Sequence, residues 1–384
     1  MRAELRYFVT CTRGLEGVLA KEIADPRIGG RDIEPQTAGV AFVGDLITGY
    51  RANLWLRSAV RVLGELSRAP ARDPDQLYAW ARELPWPELM RLEQTFSVTA
   101  RVAESAINHS KYAALRIKDA ICDVFRDRTG ARPNVDVETP HLPVYLSLYR
   151  DHGILYRDFS GTTLHKRGYR SALHRAALNE ATAAGILLLM EWDGTAPLID
   201  PMCGSGTIVI EAALLALDRA PGLLRSQPFP FESWPDFQRN VWETVQSEAR
   251  ARARAELSAP IAGNDRHRGA ATLARADAER AGVTSFIALS DADLAHWTPP
   301  FHPRVVVSNP PWGERLDQDV AQSWVDLRLF LKEHCAPSTA WFLSGNAEVT
   351  KHLGLKAAAR HPIQIGRLDA RLLRYEILPP RPNP

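Results

Sequence analysis

LIDPMCGSGTIVIEAALLA, residues 198 to 216, joins an apolar strand to an apolar helix through one tight loop. The strand ends in Asp200, the loop is Gly204-Ser205-Gly206, and the helix opens directly after it. Glycines there let a backbone approach a ligand closely, and a helix N-terminus faces it. That is the nucleotide-binding arrangement of a doubly wound α/β sheet. Val209 stands where a dinucleotide fingerprint needs its third glycine, and no Gly-Lys-Ser/Thr follows, which excludes both that fingerprint and a phosphate loop. An acidic strand end suits a cofactor that is cationic and lacks phosphate, namely S-adenosylmethionine. Its candidate contacts are Asp200, Pro201, Cys203, Gly204, Ser205 and Gly206, with Asp200, Gly204 and Gly206 framing the methionine end. Glu211 reads as an ordinary helix residue.

Strand-helix alternation continues on both sides. A helix is expected from Leu178 to Trp192, and another where Val241, Val245, Ala249, Ala253 and Leu257 recur every four residues. Further strands end at Asp265, at Asp291 and at Asn309. Four strands therefore end in polar residues at the carboxyl edge, where ligands bind in such sheets. Asp265 is the candidate for the ribose hydroxyls and Asp291 for the adenine amine.

The last of these strands runs into VSNPPWGERL, Val307 to Leu316. Two prolines have no N–H and hold the backbone extended, so Asn309 projects from the strand tip in a fixed geometry. A site that methylates a planar exocyclic amine needs this arrangement. An amide oxygen and a backbone carbonyl accept both amine hydrogens, and a ring stacks on the base. Asn309, Pro310, Pro311 and Trp312 are the candidate catalytic residues, and Asn309 also borders the cofactor. Cys203 is not read as a nucleophile, because it lies in the cofactor loop rather than beside the base.

Apolar content of 45% and charged content of 24% are ordinary for a globular protein. No apolar run approaches the ~18 residues of a membrane span. Four dispersed cysteines without a Cys-x-x-Cys or His cluster exclude a zinc site or disulfide framework and fit a cytoplasmic protein with no metal. Net charge is only +2, but 40 of the 47 basic residues are arginine, which suits phosphate contact and stacking. Residues 1–60 read as one small α+β unit and 61–160 as a second. In the latter, Ser110 can cap a helix that puts Lys111 and Lys118 on one face, and Asp151-His152-Gly153 turns a hairpin. Leu164 to Arg170 (LHKRGYR) lies in an expected linker, 161–175. It is either a solvated hinge or a contact with RNA or a cofactor lid. The aromatics Phe229, Phe231, Trp234, Phe237 and Trp242 read either as a substrate-facing loop or, for the later members at helical spacing, as core, and are left out of the site.

Together these residues resemble a class I S-adenosylmethionine-dependent methyltransferase acting on an exocyclic amine. TRGLEGVLAKE, SKYAALRIKDAI, RPNVD, HKRGYR and DRAPGLLRSQPFPFESW narrow the likeness to the RlmL-like, THUMP-bearing guanine-N2 methyltransferases of bacterial 23S rRNA. It covers the chain nearly end to end and fails mainly in the last ~40 residues. The resemblance implies a ferredoxin-like unit (1–60), a THUMP RNA-binding domain (61–160) and a Rossmann-like class I methyltransferase domain (176–384) with a mostly parallel seven-stranded sheet. RNA capture is expected to fall to the N-terminal half, with Lys111, Lys118, Lys166 and Arg167 as the candidate contacts. Trp312 departs from the usual tyrosine or phenylalanine. Some relatives continue into a second methyltransferase domain, and a chain ending at Pro384 is expected to lack that activity.

The expected reaction is direct in-line transfer to guanine N2 of a flipped-out base, with no covalent enzyme intermediate. A tRNA guanine-N2 enzyme, an N6-adenine methyltransferase of DNA and a non-catalytic RNA-binding assembly factor are the alternatives. The sequence does not specify the nucleotide or the oligomeric state.

Overall fold

The computed structural model describes residues 4–170, 178–313 and 318–379. Glu314, Arg315 and Leu316 of the Asn-Pro-Pro motif, and residues 171–175 of the expected linker, lie outside the described residues.

Two seven-stranded sheets organise the chain. The first contains β1 (Leu5–Cys11), β2 (Arg31–Gln36), β3 (Gly39–Gly44), β4 (Ala59–Pro70), β5 (Phe96–Ala103), β6 (Leu142–Tyr149) and β7 (His152–Asp158), in the order β2-β3-β1-β4-β7-β6-β5. Only β5 and β6 pair in parallel. β4 pairs with β1 on one side and β7 on the other, so it crosses the expected 60/61 division and makes both α+β units one sheet.

Local chemistry explains several differences from expectation. β2 (RDIEPQ) has no apolar alternation, because it is an edge strand with almost every residue exposed. The β6–β7 hairpin turns at Arg150-Asp151, both at positive φ, and His152 already pairs with Tyr149. The helix after β5 runs Ser110–Thr129, but its cap is His109, whose ring nitrogen accepts from Tyr112 N. Ser110 Oγ instead accepts from Val102 N, tying the helix to its strand. The helix expected at 178–192 spans Glu180–Leu189, capped by Asn179, and the one expected at 241–257 spans Arg239–Arg252.

The second sheet contains β8 (Leu198–Asp200), β9 (Ile261–Asn264), β10 (Ile287–Ser290), β11 (Val305–Ser308), β12 (Ser338–Ser344), β13 (Ala359–Ile365) and β14 (Leu368–Ile377). Its order is β10-β9-β8-β11-β12-β14-β13, parallel from β10 to β12, with β14 antiparallel to both neighbours. This is the mostly parallel Rossmann-like sheet expected. Both faces are covered: helices Glu180–Leu189, Thr207–Ala216 and Arg268–Arg280 pack on one side, and Trp324, Leu327, Phe330 and Leu331 of helix Gln318–His334 pack on the other. Among the described residues no helix is long and apolar enough to cross a membrane.

The two halves share a core. Ala220, Phe229, Phe231, Trp234, Trp242, Val245 and Ala249 all follow the glycine loop, yet they pack among the residues of the first sheet. Phe231 stacks on Tyr50 at 4.6 Å, Trp234 Nε1 donates to His141 O, and Arg157 pairs with Asp236 at 2.7 Å.

Candidate active site

β8 ends at Asp200, and the loop after it is fixed almost wholly by backbone. Gly204 and Gly206 lie at φ +56 and +76, in the left-handed region that disfavours any side chain. A Cβ on Gly206 would also press Ala274 at 3.0 Å. Cys203 N donates to Asn264 O, Gly206 N to Cys203 O, and Gly204 N to Asp265 Oδ2, each at 2.8 Å. The Cys203 side chain is buried, and a Cβ on Gly263 would stand 3.2 Å from its Sγ. Burial, then the charges of Asp200 and Asp265, pushes its thiol well above the usual range. Such a thiol packs and does not attack.

Asp200 is only 1% exposed. Its Oδ1 accepts from Met202 N at 3.1 Å and from Ser308 Oγ at 2.6 Å. The carboxylate thus joins the tip of β8 to the tip of β11, rather than lying open at the loop surface. Burial pushes its carboxyl up to about 7, against the two hydrogen bonds that favour the ionised form. The folded protein therefore holds this proton more tightly than the unfolded chain does. The resulting stabilisation is complete below the ordinary aspartate range and is lost as pH rises to about 7. Asp200→Asn keeps an acceptor oxygen for both donors and cannot ionise. Its stability relative to the parent is expected to rise by on the order of 2–4 kcal/mol between about pH 4 and 7 and then level off. Paired thermal melts across that range check this, and a difference flat with pH would refute it.

β9 and β10 deliver the next two tips side by side, since Asn264 pairs with Ser290. Asp265 is half-buried, and its Oδ1 accepts from His267 N at 2.9 Å. Asp291 is exposed, 3.6 Å from Arg275. Asn264 is buried between them and is a residue the sequence did not single out. Its Nδ2 donates to Ala292 O at 3.0 Å and its Oδ1 accepts from Ala292 N at 3.1 Å, which pins the loop carrying Asp291.

β11 lies beside β8, with Val306 opposite Ile199. Asn309 at its tip is half-buried, and its Oδ1 accepts from Trp312 Nε1 at 2.9 Å. Buried Trp324 donates to Pro311 O at 2.8 Å, and Asn346 to Gly313 O at 3.3 Å, so the turn is braced from behind. Asp291, Asp265, Asp200 and Asn309 thus stand on four neighbouring tips that span roughly 14 Å at the usual strand spacing.

LHKRGYR is neither hinge nor exposed RNA contact over most of its length. Arg167 is 1% exposed, 3.0 Å from Glu211, and donates to Arg57 O at 2.6 Å. It is therefore not available to a phosphate, and its place among the expected RNA contacts is corrected. Tyr169 Oη donates to Glu211 at 2.9 Å, while Tyr169 O accepts from Arg280 Nε at 2.6 Å. Arg170 donates to Thr207 Oγ1, the first helical residue after Gly206, also at 2.6 Å. One strap thus pins both helices that follow Gly206 and Asp265. Glu211, read as an ordinary helix residue, is the buried anion at its centre. Glu211→Ala leaves Arg167 buried without a counter-charge and Tyr169 without its acceptor. A loss of about 3–5 kcal/mol is expected by urea unfolding, and a loss below about 1 kcal/mol would contradict this placement.

Lys166 and Lys111 are exposed, and Lys118 is half-buried and paired with Asp119 at 2.8 Å. These three do not form one cluster. Lys111 and Lys118 sit on the helix behind edge strand β5, whereas Leu164 is tied to Val60 on β4, three strands away. Among the described residues no group of three His, Cys, Asp or Glu side chains is placed to hold a metal ion.

Comparison with known proteins places these features in a family. Residues 167–373 match the RMKL-like methyltransferase domain, 71–158 the THUMP domain and 6–63 the RlmL ferredoxin-like domain. A candidate RNA methyltransferase of Synechocystis sp. is 37% identical, over 97% of this chain and 96% of that protein. The ribosomal RNA large subunit methyltransferase K/L of Syntrophotalea carbinolica is 39% identical over 98% of this chain, and the chain spans only 54% of it. A candidate methyltransferase solved in complex with SAH superposes with TM-score 0.88, at 28% identity and with both chains fully covered. A Listeria monocytogenes protein named by prediction an N6-adenine-specific DNA methylase superposes with TM-score 0.86, at 30% identity over 97% of this chain and 96% of that one. The chain belongs to the RMKL-like methyltransferase family, with THUMP and RlmL ferredoxin-like domains ahead of its methyltransferase domain.

Proposed function

We propose that this chain is a cytoplasmic S-adenosylmethionine-dependent RNA methyltransferase that forms N2-methylguanosine, with 23S rRNA or its precursor as substrate. The observation that carries the reading is the adjacency of two tips. Asp200 and the glycine loop stand beside Ser308 and the Asn-Pro-Pro-Trp turn, and one hydrogen bond joins them. A cofactor site and an amine site so placed share one reacting centre.

The residues present suit the cofactor. Half-buried Asp265 lies one strand from the glycine loop for the ribose hydroxyls, and exposed Asp291 lies one further for the adenine amine. The four tips carry three acidic side chains, which suit a cationic cofactor, and Arg275 lies 3.6 Å from Asp291. The cofactor supplies a methyl group on a sulfonium. Asn309 Oδ1 and the Pro310 carbonyl accept the two hydrogens of the guanine amine and turn its lone pair toward that group, while Trp312 stacks on the base. The N–C bond forms as the S–C bond breaks, and the amine proton passes to solvent. Positioning and stabilisation of charge developing on nitrogen account for the catalysis. Lys111, Lys118 and Lys166 remain the proposed RNA contacts. The residues matched to THUMP, together with relatives named for large-subunit rRNA, favour RNA over DNA.

The deciding experiment transfers labelled methyl to unmodified 23S rRNA, tRNA and duplex DNA in parallel, followed by nucleoside mass spectrometry. N2-methylguanosine in 23S rRNA alone supports the whole reading. The same product in tRNA alone keeps the chemistry and overturns the substrate, and N6-methyladenine in DNA overturns both.

A further inference from the structure

The hydrogen bond from Trp312 Nε1 to Asn309 Oδ1 has a consequence separate from stacking. A carboxamide is nearly symmetric in shape, so rotation about its last torsion exchanges an acceptor for a donor at little steric cost. The chemistry proposed for Asn309 tolerates only one of the two arrangements. With the oxygen toward the amine its hydrogens are accepted, whereas with the nitrogen there two donors face each other. The turn itself is held by Trp324 and Asn346 through the carbonyls of Pro311 and Gly313, whereas the Asn309 side chain accepts from Trp312.

An indole N–H donates and never accepts. Held against Asn309, it admits the carboxamide only with its oxygen on that side, and a carbonyl oxygen keeps a second lone pair for another donor. The ring cannot swing freely, because it lies against Gly345, where a Cβ would come within 2.4 Å of Cζ3. Phenylalanine offers no donor, and a tyrosine hydroxyl both donates and accepts, so neither would select the amide orientation. Resting on the reading of Asn309 given above, we propose that Trp312 is also a positioning residue, whose N–H sets the Asn309 carboxamide with its oxygen facing the target amine.

The test uses a background in which orientation has no meaning. In Asn309→Asp both terminal atoms are oxygen, so a rotated side chain still accepts. Trp312→Phe in the otherwise unaltered chain is expected to lower single-turnover kcat about five-fold, the worth of one hydrogen bond. KM for RNA and cofactor affinity by calorimetry should be unchanged. In the Asn309→Asp background the same substitution should cost less, because only the change of stacking ring remains. An equal fall in both backgrounds assigns the loss to the ring and overturns the proposal, and so does no fall in either. Asn309→Ala separates the two readings: full activity there overturns the role of Asn309 itself, whereas loss there with an indifferent Trp312→Phe overturns only the role of the indole N–H.

Discussion

Asn309→Ala is expected to reduce methyl transfer by roughly 10²–10³-fold, the scale on which one preorganised polar contact at a reacting centre is felt. Little else should change. The side chain lies outside the apolar cores, and the backbone of the turn is set by Pro310 and Pro311, by Trp324 and by the Ser308–Asp200 bond, none of which the substitution touches. Cofactor affinity should stay within about two-fold, a binding change worth only a few tenths of a kcal/mol. Single-turnover transfer to RNA measures the first quantity and calorimetry the second. A variant with parental turnover would sink the assignment of Asn309, whereas joint loss of turnover and cofactor binding would point to a collapsed edge.

The second large effect concerns the chain cut between its halves. Residues 176–384 expressed alone are expected to aggregate or remain molten, although they contain the whole second sheet. Phe229, Phe231, Trp234 and Trp242 are buried against Tyr50, Phe159 and the first sheet. Freed of that half they would expose on the order of 800 Å² of aromatic surface, beyond what monomers normally present. The complementary fragment 1–175, which keeps Arg167, Tyr169 and Arg170, loses the same cover, together with partners of Gln94, His141 and Arg157. Size exclusion, dye binding and thermal melts of each fragment, alone and co-expressed, check this. Recovery on co-expression is the expected outcome. Cooperative, monomeric unfolding of either fragment alone would contradict the shared core.

The carboxyl edge of the second sheet was legible because its central strands β8, β9 and β11 are buried on both faces. Short apolar runs ending in Asp200, Asp265 and Asn309 carry that burial openly, and the run ending in Asp291 repeats the pattern on an edge strand. The partners of those tips were not legible. Ser308, which binds Asp200, lies 108 residues away, and nothing in a lone serine marks it. Arg167 reads as solvated because its neighbours are polar, while Glu211, which neutralises it, sits in an otherwise apolar helix that gives no hint of a buried charge. Asn264 escaped notice because its hydrogen bonds go to the backbone of another loop. The division at 60/61 followed a change in pattern, but β4 pairs through it, and strand pairing leaves no mark at such a point. The aromatics from Phe229 to Trp242 pack in a core, yet their spacing could not reveal that this core belongs to the other sheet.

That lacing also sets a timetable for synthesis. The last strand of the first sheet is complete at Asp158, but the residues that close its core continue to Ala249. At ~5–20 residues per second, the nascent sheet waits about 5–20 s with one apolar face uncovered. During that interval the emerging chain is a client for whatever shields apolar surface at the ribosome. Slowing translation between codons 160 and 250 should therefore lower the yield of folded protein more than slowing it by the same delay after codon 260.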